Sequence, residues 1–560
     1  MTVTEAPRDV LDNDADVAAD TEPAPPTGLA ALVGSGDPRT VGKLFVGTSL
    51  LFLLVSGVSG LLMSFELIDL DKTDNILAND VYPQVATLHS ITGLFLVVLP
   101  LLLGLATAVV PLQVGASTVA FPRASAAAYW TYLVSGGLIM AAFAINGGPF
   151  GGDDSGVALF IAAMIVLLAA LCTATISVVT TVLTMRAPGM TLRRTPLFSW
   201  SMVVGGTIWL LTLPILAGNL VLAYLDFTYG EQFLGGDVGL YGRIDWAFWQ
   251  PTLYAFAIPA LGIIADIVPV FAQRRLKQHG IAMGMIGAFA ALSFGAYAQT
   301  GVALVPDAEL RPWFDGSPWL FTPWVASGFA IVLPLLALLG LFGGTVSAGR
   351  MKLGSPVIFA QCAALVLLAG VAAGVLTVIK DLDLAGSMWM TAQSYTVLIG
   401  TIIAALGGLA FWAPKLYGRL LPEALGRLTA TVLLVGTFVL VVPYAIAGFL
   451  DEPRPLAHET ATDLSDKSTV EVLNLIAAIG GVIVLLGIVL AGLALLRTAF
   501  SKVSAADGPG DDPWAGHTLE WTTSSPPPVG NFAGLLEVTS EAPLYDARHA
   551  AASATTEASA

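Results

Sequence analysis

The sequence predicts an all-α integral membrane protein, a bundle of twelve membrane-spanning helices. Three observations carry that reading. The 560 residues are 56% hydrophobic and only 11% charged, with a mean hydropathy of +0.80, too apolar for a soluble domain of ordinary composition. Apolar stretches long enough to cross a hydrocarbon core of about 30 Å recur along the chain, separated by short polar loops. Once those stretches are numbered, the basic residues sort to one side.

In chain order the stretches fall near 43–66, 88–113, 127–147, 156–185, 199–226, 245–272, 280–305, 320–344, 355–380, 390–414, 426–450 and 471–497. An even number of spans puts both termini on one side. Of the 24 Lys and Arg residues, only Lys72, Arg243, Arg311, Lys380, Arg454 and Lys467 fall on the opposite side, which leaves 18 with the termini. That bias predicts cytoplasmic termini and a multi-pass protein of the plasma membrane. The opposite side carries acids such as Asp153, Asp154, Asp451 and Glu452, read as solvated loop residues.

Three regions follow. Residues 1–37 are rich in Asp, Glu, Ala and Pro and read as a disordered acidic cytoplasmic tail. Residues 38–501 form the membrane domain. Residues 502–560 read as a polar, Pro-containing cytoplasmic tail with Pro526-Pro527-Pro528 and a closing Ala/Ser/Thr/Glu tract. A net charge of -16 argues against a nucleic-acid partner, so the bilayer is the first partner. Cys172 and Cys362 both sit in apolar runs, which excludes a disulfide framework or thiolate cluster and leaves them as packing residues.

The chemistry-bearing residues cluster in a few runs. After Tyr82, the stretch from His89 to Arg123 holds Pro100, Gly104, Pro111-Leu112-Gln113-Val114-Gly115-Ala116 and Ala120-Phe121-Pro122-Arg123. Thr184-Met185-Arg186-Ala187-Pro188-Gly189-Met190 precedes Pro196, Phe198 and Trp200. Near the carboxyl end stand Pro513-Trp514, Thr518-Leu519-Glu520-Trp521 and Ser525-Pro526-Pro527-Pro528 before Asn531-Phe532. Together these runs resemble subunit I of the haem-copper terminal oxidases over roughly residues 37 to 532, and the resemblance implies a twelve-helix bundle of that type.

In that family six helix-borne histidines hold two haems and a copper ion, because neutral imidazole is a strong nitrogen donor to both metals. This chain has five histidines in all. His89 falls where the resemblance places one axial ligand of the low-spin haem. The helix-six copper motif reads Gln250-Pro251-Thr252-Leu253-Tyr254, keeping only the tyrosine position. Helix seven reads Tyr297-Ala298-Gln299-Thr300, without its two copper histidines. Helix ten reads Ala392-Gln393-Ser394-Tyr395, with Gln393 at the high-spin haem ligand and Tyr395 at the second low-spin ligand. Met388 or Met390 would serve instead of Tyr395 after a rotation of that helix. The helix-eight lysine position falls near Leu338, and of the paired propionate arginines Arg454 remains beside Pro455. His279, His458, His517 and His549 lie in loops or tails.

The expectation is therefore a respiratory-chain membrane protein of oxidase type, unable to reduce oxygen, with no copper. It would act as a non-catalytic partner or scaffold of other respiratory oxidase subunits or of a paralogous complex. One alternative is a one-haem electron-transfer or quinol-interacting protein using His89, Tyr395 and Arg454. A second, which the resemblance alone implies, is a functional cytochrome c oxidase subunit I. A polar path along Thr252, Tyr254, Gln299, Thr300, Gln393 and Tyr395 would suit a small neutral solute. Buried amides such as Gln250, Gln299 and Gln393 otherwise need interhelical hydrogen bonds in a membrane. Asp266 reads as a capped end of helix six, and Lys380 with Asp383 as an interfacial pair.

Overall fold

The computed structural model describes residues 28, 32–70, 76–78, 81–149, 151–230, 233, 238–295, 318–455, 464, 466–501, 509–534 and 537–559. Its helices are α1 (Pro38–Glu66), α2 (Tyr82–Val114), α3 (Pro122–Ala144), α4 (Asp154–Thr184), α5 (Leu197–Tyr229) and α6 (Val238–Phe271). They continue with α7 (His279–Gly295) and α8, which runs Pro318–Ala330 and Val332–Ser347, then α9 (Ser355–Thr377) and α10 (Met388–Tyr417). The last spans are α11 (Glu423–Phe449) and α12 (Lys467–Phe500), and α13 (Pro543–Ser559) follows them. Among the described residues, eleven helices are long and apolar enough to cross a membrane, and α7 is the shorter twelfth.

Helix boundaries follow local chemistry. Asp37 caps α1, its carboxylate accepting from Thr40 N at 3.2 Å, with Pro38 at the first helical position. Inside α2, Pro100 has no N–H for the carbonyl of Leu96, and the turn before it widens into a π segment over Thr92–Val98. The freed Leu96 carbonyl accepts from Tyr132 Oη on α3 at 2.7 Å, so a proline defect in one helix becomes a bond to the next. Gly115, at φ +76°, closes α2 in a conformation that a side chain disfavours. The stretch read as one helix over 320–344 breaks at Ile331, where Pro334 leaves the carbonyl of Ala330 without its donor.

Burial ranks the helices. The apolar windows of α2, α6 and α10 are each 89% buried, against 33–56% for the other spans, so these three form the centre. They carry His89, Tyr254, Gln393 and Tyr395. The pairs α3/α4, α5/α6, α9/α10 and α11/α12 pack side by side, as expected for antiparallel neighbours joined by short loops.

The segment read as a polar tail is docked instead. Trp521 and Glu520 are buried, and Asn531 Nδ2 donates to Ala116 O at 2.9 Å. The buried Lys415 ammonium, at the end of α10, donates to the carbonyls of Asp511 and Thr523 at 2.8 and 2.6 Å. Arg275 pairs with Glu541 and Asp546, and Arg548 with Asp512. Arg39, at the start of α1, donates to Pro527 O, so both ends of the membrane domain meet on one face.

Candidate functional site

The structure brings the predicted site residues into two groups rather than one. In the first, His89 on α2 faces α1. Its Nδ1 donates to the carbonyl of Ser56 at 2.8 Å and lies 3.3 Å from Ser56 Oγ. Gly60, one turn on, makes the approach possible, since a Cβ there would stand 2.6 Å from His89 Cε1. The Tyr395 ring meets the imidazole edge-on, with centroids 5.6 Å apart and an interplanar angle of 79°. Tyr444 on α11 continues the group, 6.5 Å from Tyr395, and its hydroxyl donates to Ser64 Oγ at 3.1 Å.

In the second group, Gln393 Nε2 on α10 donates to Tyr254 Oη on α6 at 2.9 Å. Both side chains are buried, as is Thr252, and Phe289 of α7 closes on the tyrosine ring edge-on at 5.8 Å. The bond satisfies an amide that would otherwise stand unpaired in hydrocarbon. Tyr254→Phe removes its acceptor and is expected to cost about 1–2 kcal/mol, read as a lower apparent melting midpoint in detergent. An unchanged midpoint would show that the bond contributes nothing.

Gln393 and Tyr395, two residues apart on α10, thus turn to different neighbours. Gln299 and Thr300, and the side chain of Gln250, lie outside the described residues; of the residues expected along a polar path, Thr252, Tyr254, Gln393 and Tyr395 are described, and Tyr254 and Gln393 bond each other. Arg454 stands at the face away from the termini. Its Nη2 reaches Met390 Sδ at 2.7 Å, its backbone N–H donates to Gly386 O, and its buried Nε has no partner among the described residues. Met390 Sδ also accepts from Gly386 N at 3.2 Å, so that sulfur is held at the far face and is not turned toward His89.

Asp266 is a cap, but of another helix. Its carboxylate accepts from the backbone N–H groups of Leu197 and Phe198, at the start of α5, and from Gln113 Nε2 at 2.8 Å. Gln113 also donates to Glu520 Oε1 at 3.3 Å, and Trp412 Nε1 donates to the same oxygen at 3.1 Å. Burial raises the Glu520 pKa. His279 Nε2 donates to Thr195 O at 3.0 Å, and His517 is buried in the docked segment against Tyr545. The Lys380 side chain and His458 lie outside the described residues, so the Lys380–Asp383 pair does too.

Two acids differ from what their sequence context predicts. Glu452, in a loop that predicts a solvated acid, is 0% exposed, its Oε1 accepting from Asn474 Nδ2 on α12 at 2.7 Å. Glu520, in a run of tail-like composition, is equally sealed. The Thr518-Leu519-Glu520-Trp521 run, with one acid between two large apolar residues, was the signal for Glu520; nothing local marks Glu452.

Comparisons with known proteins fall on the same assignment as the bundle. The sequence pattern of the family described as Cytochrome C and Quinol oxidase polypeptide I matches residues 40–483. The chain belongs to that family. A putative cytochrome c oxidase subunit 1-beta of Streptomyces coelicolor is 30% identical over 92% of this chain and 89% of its own length. The cytochrome c oxidase subunit 1 of Bacillus subtilis is 28% identical over 91% and 82%. A cryo-EM structure of a heme-copper terminal oxidase dimer superposes with a TM-score of 0.66 at 14% identity, covering 83% of this chain and 85% of that one, and so shares the fold. This haem-copper oxidase subunit I-like chain is accordingly a multi-pass membrane protein.

Proposed function

We propose that this chain is a non-catalytic member of the family, a partner or scaffold beside other respiratory oxidase subunits, in the plasma membrane with both termini cytoplasmic. The observation that carries the reading is the 2.9 Å bond between Gln393 and Tyr254. By resemblance, Gln393 stands at the high-spin haem ligand and Tyr254 in the copper motif, on facing helices. Were Gln393 to ligate the high-spin haem iron, the iron and its macrocycle would stand between that amide and the copper side to which the Tyr254 motif belongs, and the two side chains would not touch. A direct hydrogen bond joins them instead, and neutral amides replace the imidazoles that suit iron and copper. The residues present therefore do not fit a copper ion facing a high-spin haem, and oxygen reduction needs both.

The low-spin site fits no better. With centroids 5.6 Å apart, His89 and Tyr395 are already in edge contact, which leaves no room between them for iron and a macrocycle. His89 then serves as a tie from α2 to α1. One observation favours the alternative of a one-haem electron-transfer or quinol-interacting protein. The Nδ1 bond to Ser56 fixes the ring as metal-binding histidines are fixed and leaves the Nε2 lone pair outside that bond.

Purification in mild detergent separates these readings. The expected result is no Soret band in the reduced-minus-oxidised spectrum, substoichiometric iron and copper, and copurifying respiratory oxidase subunits. A Soret band lost in His89→Ala would replace the scaffold reading with the one-haem reading. Equal iron and copper with oxygen uptake would make the chain a functional cytochrome c oxidase subunit I. Purification as a lone monomer would remove the partner role.

A further inference from the structure

At the face away from the termini, four elements close over one carboxyl group. Glu452 follows α11 and is 0% exposed, as is Asn474 on α12. Asn474 Nδ2 donates twice, to Leu67 O just past α1 at 2.8 Å and to Glu452 Oε1 at 2.7 Å. Two carbonyl-type acceptors on that nitrogen fix the orientation of the amide, so its oxygen must face elsewhere. Both remaining atoms of the pair, Glu452 Oε2 and Asn474 Oδ1, are buried without a hydrogen-bond partner among the described residues. Each is an acceptor, and no donor of the described residues reaches either.

We propose that Glu452 and Asn474 form a binding site for a single proton, held as Glu452 Oε2–H and donated to Asn474 Oδ1. Acid and amide then make a closed pair with two antiparallel hydrogen bonds. One proton removes a buried negative charge and satisfies both orphaned oxygens together. A hard cation such as Ca²⁺ or Mg²⁺ takes about six or more oxygen ligands, whereas this site offers two free ones.

The surroundings agree. The acidic and phenolic groups that bear on the site are Tyr82 on α2 and Tyr444 on α11, with Glu66 at the end of α1 bearing on Tyr82. Asp451 adjoins Glu452 in the chain, and Lys467 and Glu471 precede Asn474 by two turns and one turn. α10 meets Glu452 through a backbone bond, Met388 N to Glu452 O at 2.7 Å. Arg454 gives its Nη2 to Met390 Sδ and forms no ion pair with Glu452. Burial raises the Glu452 pKa to about 7, against the opposing bond from Asn474.

Infrared titration of the purified full chain, exchanged between H₂O and D₂O, tests the site. Expected is a protonated-carboxyl C=O band that fades with a midpoint near neutral pH, keeps that midpoint when Na⁺ replaces K⁺, and is absent from Glu452→Gln. Asn474→Leu removes both partners and is expected to move the midpoint up and the band to the position of an unbonded acid. Bands from Asp266 and Glu520, at the opposite face, are insensitive to that change. If Glu452→Gln fails to fold, the response of the band to Asn474→Leu decides alone. No titrating band above the ordinary carboxylate range, a band that survives Glu452→Gln, a midpoint that follows the choice of alkali cation, or a band unmoved by Asn474→Leu would overturn the proposal.

Discussion

Gly480→Val is expected to cost about 3 kcal/mol or more, the upper end of what forcing atoms into a packed core costs, and to lower the apparent melting midpoint in detergent. A Cβ at position 480 would lie 2.2 Å from Leu440 N, 2.5 Å from Val439 C and 2.6 Å from Leu440 Cα. These are backbone atoms of α11, which cannot turn aside as a side chain can. Gly436 reciprocates from α11, where a Cβ would stand 2.8 Å from Val484 N of α12. Lipid tails give two helices no hydrophobic reason to associate, so small residues that let backbones touch supply the attraction. Wedging α11 from α12 also parts Asn474 from Glu452. The control is Gly492→Val on the same helix, where a Cβ meets nothing within 4 Å and the midpoint should hold. Equal midpoints for the two variants would mean that the α11/α12 contact is looser than described.

That contact shows which parts of the molecule a sequence discloses. Spans were legible because each helix must be apolar over its own length, a property of consecutive residues. So was the split of α8 in principle, since Pro334 stands in the sequence, although hydropathy averages over it. Gly480 and Gly436 are 44 residues apart, and nothing in either run says that they meet. The docked segment was illegible for a related reason. Its attachment rests on single polar residues, Lys415, Glu520 and Asn531, that enter the bundle from a chain whose average composition is that of a tail.

The site divides in the same way. Resemblance places Gln393 at a lost ligand position and Tyr254 at the retained tyrosine of the helix-six motif, which is information about chemistry. That the two now bond each other is information about shape, and only the packed helices carry it. Resemblance puts Tyr395 at the ligand position opposite His89, and its ring lies against the imidazole. Glu452 was misjudged because an acid between Asp451 and Pro453 looks like a solvated turn until α12 is laid across it.

The pH dependence of stability is where that misjudged acid has its largest expected effect. The Glu452 pKa is raised from 4.5 to about 7 by burial. Between those values the folded chain keeps a proton that the unfolded chain has released, so the contribution is full below about 4.5 and is lost as pH rises through 7. At about 1.4 kcal/mol per unit the loss is on the order of 3 kcal/mol. Glu520, raised by burial, adds in the same sense. His517 opposes both, because burial lowers it from 6.5 to about 4 and its contribution is lost as pH falls through that window. The unmodified chain therefore mixes opposing slopes, and the difference between it and Glu452→Gln isolates the acid. The two should be nearly equal in stability at pH about 4, and the variant should be the more stable at pH about 8 by roughly 3 kcal/mol, measured by denaturant unfolding in detergent. Losing an ionisable group would then stabilise the protein where that group is charged, an outcome available only to a carboxyl that is sealed from water and without a cation. Superimposable curves from pH 5 to 8 would mean that Glu452 is hydrated or paired, and that the proton has no reason to stay.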